Sequence, residues 1–367
     1  MTKIRPSLPL VGIGVLAVLL LAVAPAVLSP HWINNLGKYT CWAIVAVGIG
    51  LAWGRGGMLV LGQGVFFGLG AYAMAMHLTL ETAGPDSLPV FMILYDPQAP
   101  LPAFWEPFRS GSFTVAAIIL LPVIVASILG YALFKRRVKG AYFAILTQAL
   151  AVALAVLISS TIRETGGDTG LSNFQYFFGF VLNDEANKIM VFLIAAALLI
   201  TCLLVVWQLN RSRYGELLVA TRDAEERVRF LGYDPANVKL VAFVVAAVMA
   251  SIAGAMFVPI VGIITPAEIG ASASILMIAG VALGGRASLF GPALGAIAIG
   301  WGQSSLGSSW PGGWVYILGL VFILVTLFLP MGLSSLLGRA TGAFRPSRTA
   351  PTAGTNTPAP ELDEVRK

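Results

Sequence analysis

KIMVFLIAAALLITCLLVVWQLNRSR, residues 188–213, decides the fold class. No residue between Lys188 and Arg211 is charged, and the run ends in two arginines, Arg211 and Arg213. About 20 consecutive apolar residues are what a helix needs to cross the hydrocarbon core of a bilayer. Runs of the same kind recur along the 367 residues, at about 8–28, 36–54, 57–79, 113–134, 140–160, 188–209, 237–260, 272–285, 288–304 and 313–337. The composition agrees: 57% hydrophobic, 11% charged and a mean hydropathy of +0.86, where soluble domains carry about 25% charged residues. The expectation is an all-α, polytopic membrane protein of about ten transmembrane helices. Lys3 and Arg5 precede the first run, which is longer than the apolar stretch of a cleaved signal and reads as an uncleaved helix.

Charge sets the orientation. Lys and Arg collect in cytoplasmic loops. With the N-terminus inside, only Lys38, Arg109, Arg163 and Lys188, four of the 23 basic residues, fall outside. Both termini are therefore expected in the cytoplasm. The net charge of +6 belongs to short basic blocks beside lipid rather than to a nucleic-acid surface. Segments 81–112 and 161–187 are the sizeable outer loops, and the Gly-rich pair within 272–304 is short enough to be re-entrant. The permease region is taken as 1–343, and the Pro/Thr/Ala-rich tail 344–367 as a disordered cytoplasmic end. No charge is expected at mid-helix, which argues against a proton-coupled carrier or ion pump and suits an uncharged cargo. Cys41 and Cys202 lie in apolar runs, so neither a disulfide nor a metal site is expected, and no cofactor is implied.

The longest cytoplasmic loop, 210–237, carries Leu217, Ala220, Ala224, Val228 and Leu231 at helical spacing, with opposite charges four apart on the other face. Asp223 and Glu226 suit a capping box, Gly232 a glycine stop, and Asp234–Pro235 the start of the next helix. A short amphipathic helix between two spanning helices rests either on lipid or in a groove of a cytosolic partner.

Further back, GRGGMLVLGQGVFFGLGAYAM, 54–74, is dense in glycine. Small residues let membrane helices approach closely, and broken Gly-rich helices line polar paths. Gln63, Thr147 and Gln148 are polar groups in apolar segments, each in need of a partner or a wet cavity, and with Phe66 they are the candidate path residues. A second cluster, GGRASLFGPALG, 284–295, sits in the same topological setting and hints at an internal repeat.

DAEERVRFLGYDPANVKLVAF, 223–243, resembles the coupling-helix segment of ABC importer permeases of the branched-chain amino acid family. Glu225 and Gly232 match the Glu and Gly of its ATPase-docking loop, while Glu226 and Arg227 replace its Ala-Ala. Both glycine clusters, KGAYFAILTQAL at 139–150 and GGDTGLSNF at 166–174 are similar to the same family over roughly 36–337. Within it, GQGVFFG at 62–68, the loop pieces LPVFM at 88–92 and LPAFWEPF at 101–108, and the 139–148 run look closer to the urea-type second permease subunit. The resemblance implies an inner-membrane pore subunit for urea. Its alternatives are a branched-chain amino acid permease and a stand-alone facilitator for small neutral solutes. The implied partners are a homologous permease subunit, two cytosolic ATPase subunits and an extracytoplasmic solute-binding protein. Leu217, Glu225, Val228, Leu231 and Gly232 are expected at the ATPase contact. No Gly-x-x-x-x-Gly-Lys-Ser/Thr phosphate loop is present, so ATP hydrolysis falls to the partners and the chain is expected not to be an enzyme.

Overall fold

The computed structural model describes residues 7–309 apart from 85–86, 96–99 and 139, together with 313, 316, 317, 319, 320, 323 and 327. The helix expected at 313–337 and the tail 344–367 lie outside the continuously described part. The rest is helical: α1 (Ser7–Val18, continued by a π-helical stretch and Ala24–Val27), α2 (Pro30–Ile49, continued by a π-helical stretch to Arg55), α3 (Gln63–Ala83), α4 (Gly111–Lys135), α5 (Ala141–Ser160), α6 (Glu185–Arg211), α7 (Arg213–Asp223), α8 (Glu225–Phe230), α9 (Pro235–Val261), α10 (Ala271–Gly284) and α11 (Gly291–Ser309). Among the described residues seven helical segments are long and apolar enough to cross a membrane. α3 and α11 match two more expected runs, but glycine and polar residues dilute their hydropathy. The protein is an all-α, multi-pass membrane protein.

Local chemistry sets the boundaries. α9 starts where the Asp234 carboxylate accepts the Ala236 N–H at 3.0 Å, and stops at Gly262, whose φ of +81° suits glycine. α3, α9 and α2 form the centre, flanked by α4 and α6. α3 and α9 meet backbone to backbone: a methyl group on Gly70 would overlap the Ser251 carbonyl, and one on Gly254 the Phe67 carbonyl. Nearer the end that carries 211–239, which the charge bias makes cytoplasmic, Phe66, Phe134, Phe143 and Phe243 pack with centroids 5.2–5.9 Å apart, mostly edge to face, and tie α3, α4, α5 and α9 together. Packing supplies the cohesion that the hydrophobic effect cannot supply inside lipid.

At the opposite end the loops form a cap. β1 (Leu171–Ser172) pairs with β4 (Ile263–Ile264), and β2 (Tyr176–Phe177) with β3 (Phe180–Val181). The Glu81 carboxylate accepts the N–H groups of Phe178 and Gly179, and His77 Nδ1 bonds to the Phe108 carbonyl at 2.8 Å. Cysteines placed at Ser110 or Ser172 are therefore expected to react with an impermeant thiol reagent in intact cells, and cysteines at Ser212 or Ser347 to be protected. Labelling at Ser212 would overturn this orientation.

α10 is 14 residues long, within a residue of the expected run 272–285, and spans about 21 Å against a hydrocarbon core of about 30 Å; with the turn before it the helical segment extends over Pro266–Gly284. One expectation is corrected, in that charge is not confined to loops: Lys38 lies two turns into α2, and Glu268 lies in the short 3-10 turn within the span Pro266–Gly284. Lys38 covers the Trp42 ring at 4.9 Å.

Candidate functional site

The turn after α2 does not go straight into the next helix. Residues 56–62 are non-helical, Gly57 takes φ +69°, and α3 begins only at Gln63. Helix propensity explains part of this, since four glycines within 54–62 each weaken a helix by about 1 kcal/mol. Close approach explains the rest: the Gly62 α-carbon is pressed against the Thr147 carbonyl, and the Gly64 α-carbon against the Ile269 carbonyl. Thr147 lies six residues into α5, about 9 Å from its start. The first turn of α3, the inner part of α5 and the returning segment 263–270 thus converge. Gly64 N–H donates to Ser274 Oγ at 3.2 Å, which joins the N-terminal turns of α3 and α10. Discontinuous helices meeting inside a membrane are a common way to present polar backbone to a path.

Gln63 is 1% exposed, and neither atom of its amide has a protein partner; the amide of half-buried Gln148 is in the same state. Thr147 instead returns its hydroxyl to the Ala144 carbonyl at 2.9 Å, and Phe66 belongs to the aromatic cluster. Of the four candidate path residues, the two glutamines are thus the ones with hydrogen-bonding capacity to spare. A buried amide without a partner costs about 1–3 kcal/mol, so both positions suit groups met by water or cargo. Towards the cap, α3, α4, α5 and the outer loop border a half-open apolar cavity of about 470 Å³, lined among others by Leu69, Met76 and Leu154 and, at its exposed rim, by Phe104, Phe113 and Leu120. Tyr72 also lines it, and its hydroxyl is buried without a partner. Sequence reading did not find this cavity, because its walls come from four separated segments of ordinary apolar residues.

The cytoplasmic loop differs from a single amphipathic helix. Ser212 caps α7 by accepting the Gly215 N–H, and the helix breaks at Ala224, with φ −151° and ψ 66°. No capping box forms there: Asp223 pairs with Arg222 at 2.7 Å, and that hydrogen bond holds its carboxyl below the usual carboxylate range. Glu225 turns inward to Lys239 at 2.8 Å and Arg229 at 3.3 Å. Val228 is 3% exposed, and Leu217 is half-buried against the core. The groups that stand out are Phe230, Leu231 and Tyr233, 89%, 76% and 55% exposed, around Gly232 at φ +86°.

Membrane-crossing helices around a broken, glycine-seated centre, with a polar cluster inside and an apolar knob on a loop of mixed charge, suit a membrane permease. The chain belongs to the family described as the permease component of branched-chain amino acid transport systems, which matches residues 32–328. It is 28% identical over 306 residues to the high-affinity branched-chain amino acid transport system permease protein LivM of Escherichia coli, covering 77% of this chain and 65% of that one. LivM of Salmonella typhimurium is 27% identical, with 77% and 66% covered, and BraD of Pseudomonas aeruginosa 26% identical, with 82% and 94% covered. The chain thus spans about two thirds of the length of the two LivM proteins. No solved structure gives a significant match.

Proposed function

We propose that the chain is a translocation subunit of an ABC importer for branched-chain amino acids. The 470 Å³ apolar cavity carries this reading beyond the family match. A branched aliphatic side chain gains about 0.8 kcal/mol for each CH₂ taken out of water. Urea has no such surface and would lose its hydrogen bonds to water there. In this reading ATP is hydrolysed by two cytosolic ATPase subunits, a homologous permease completes the pore, and an extracytoplasmic binding protein delivers the solute. Urea is the second reading, and the unpartnered amides of Gln63 and Gln148 favour it, because an amide can both accept from and donate to urea.

The test is uptake by the assembled importer in proteoliposomes. Leucine uptake should be competed by isoleucine and valine and not by urea; urea uptake insensitive to leucine would reverse the assignment. Gln63→Leu at wild-type expression and wild-type ATP hydrolysis is expected to lower uptake by about tenfold, the loss of one buried polar contact. Unchanged uptake, with Gln148→Leu the damaging variant, would move the path to α5.

A further inference from the structure

We propose that Arg222 is a positioning residue that transmits movement of the cytoplasmic loop to the segment 54–62, and through it to Gln63. The inference rests on the transport reading above and adds to it a specific mechanical link. Arg222 stands at the end of α7, next to the break at Ala224. One arm of its guanidinium donates to the Gly54 carbonyl at 2.6 Å. That carbonyl belongs to the C-terminal turn of α2, where unpaired carbonyls and the helix dipole favour a cation. On the exposed side, the Nε of the same guanidinium donates to Asp223 at 2.7 Å.

The grip extends past this bond. A methyl group on Gly57 would come within 2.6 Å of Arg222 Cγ, and one on Gly56 within 3.4 Å of a Leu218 methyl. Two side chains of α7 therefore lie directly on the turn that leaves α2. On its other side the Gly54 α-carbon is pressed against the Arg286 carbonyl. The turn is clamped between the loop and the 284–291 connection, where the two glycine clusters of the sequence meet. From Gly57 five residues of non-helical backbone lead to Gly62, seated on the Thr147 carbonyl, and then to Gln63. Gly57 and Gly62 thus seat the two ends of this segment, one on Arg222 and the other on Thr147.

Space for the movement is present. A cavity of about 180 Å³ lies beside this segment, bounded by Gly56, Leu59, Phe143, Thr221, Arg222 and Lys239 among others. A displacement of α7 would carry the turn into or out of this cavity. The free energy transmitted is the difference in these contacts between the two positions.

The experiment uses the complete importer in proteoliposomes. Arg222→Ala is expected to lower solute moved per ATP hydrolysed by at least about tenfold, within the range of typical coupling energies, while the ATPases remain bound. Arg222→Lys, which keeps the charge and loses the fork, should fall between. Independently, Met58→Cys in an otherwise wild-type complex should react with a thiol reagent at different rates in nucleotide-free and vanadate-trapped states. Arg222→Ala should abolish that difference. A wild-type ratio of solute to ATP in Arg222→Ala overturns the proposal. So does labelling at Met58→Cys that ignores the nucleotide state, which also decides the matter if Arg222→Ala does not assemble. A wild-type complex that moves no amino acid but shows nucleotide-dependent labelling would instead sink the substrate reading and leave the link standing.

Discussion

Gly254→Val is expected to prevent accumulation of the folded chain. The Gly254 α-carbon faces the Phe67 carbonyl across the α3–α9 contact, and Gly70, one turn along, faces the Ser251 carbonyl. Neither neighbour is a flexible side chain that can step aside, so the helices themselves must separate. Overpacking a well-filled site costs about 1–3 kcal/mol, more when backbone has to move. Here separation would also loosen Ser251, whose hydroxyl donates to the Ile118 carbonyl at 2.7 Å and fastens α9 to α4. A single substitution thus strains two of the central contacts. The measurement is the monodisperse yield and thermal midpoint of the detergent-solubilised chain. Gly14→Val is the control: Gly14 is exposed on α1 and an added β-carbon there would meet nothing within 4 Å, so its effect should stay within about 0.5 kcal/mol. Equal yields from the two variants would show that the α3–α9 seam does not carry the fold.

Much of the membrane architecture was legible because hydropathy is a sum over some 20 residues and tolerates local error. The described helices fall on nine of the expected runs, and Asp234–Pro235 and Gly232 punctuate the chain as their chemistry dictates. What could not be read is where local backbone overrides periodicity. The run placed at 57–79 becomes helical only at Gln63, because the glycines of 54–62 serve close approach to Thr147 and Arg222, which are distant in sequence. In the cytoplasmic loop the stripe Leu217, Ala220, Ala224, Val228 and Leu231 presumes an unbroken helix. The break at Ala224 resets the helical phase, so Val228 turns into the protein and Leu231 out of it. The exposed aromatics Phe230 and Tyr233 were outside that stripe for the same reason. Unpaired polarity behaved differently: a glutamine amid apolar neighbours is conspicuous in sequence, and Gln63 and Gln148 are the candidates left without partners.

The phase reset moves the expected ATPase contact, and with it the second large effect. Replacing Phe230 and Leu231 together by aspartate is expected to abolish uptake and to release the cytosolic ATPases on purification, with the chain still inserted. Both side chains stand largely clear of the protein, beside Tyr233, on a turn made possible by Gly232 and closed by the Tyr233 N–H to Val228 carbonyl bond. Apolar anchors at the centre of an interface contribute about 2 kcal/mol or more each, roughly 30-fold in affinity apiece. Two carboxylates forced into an apolar groove would add a desolvation cost. Val228→Asp is a different experiment: at 3% exposure it buries a charge within the chain, so its failure to transport would report a damaged loop rather than a lost partner. The competing reading seats the knob in the lipid interface, where aromatic and aliphatic groups also lie favourably. Co-purification separates the two. If the double variant keeps its ATPases and transports at the wild-type rate, Phe230 and Leu231 do not dock the ATPase. If it keeps them but its loop becomes newly open to protease, the knob rests on lipid, and the contact must lie instead on the exposed charged face of α7 and α8, where Glu216, Glu226 and Arg227 stand.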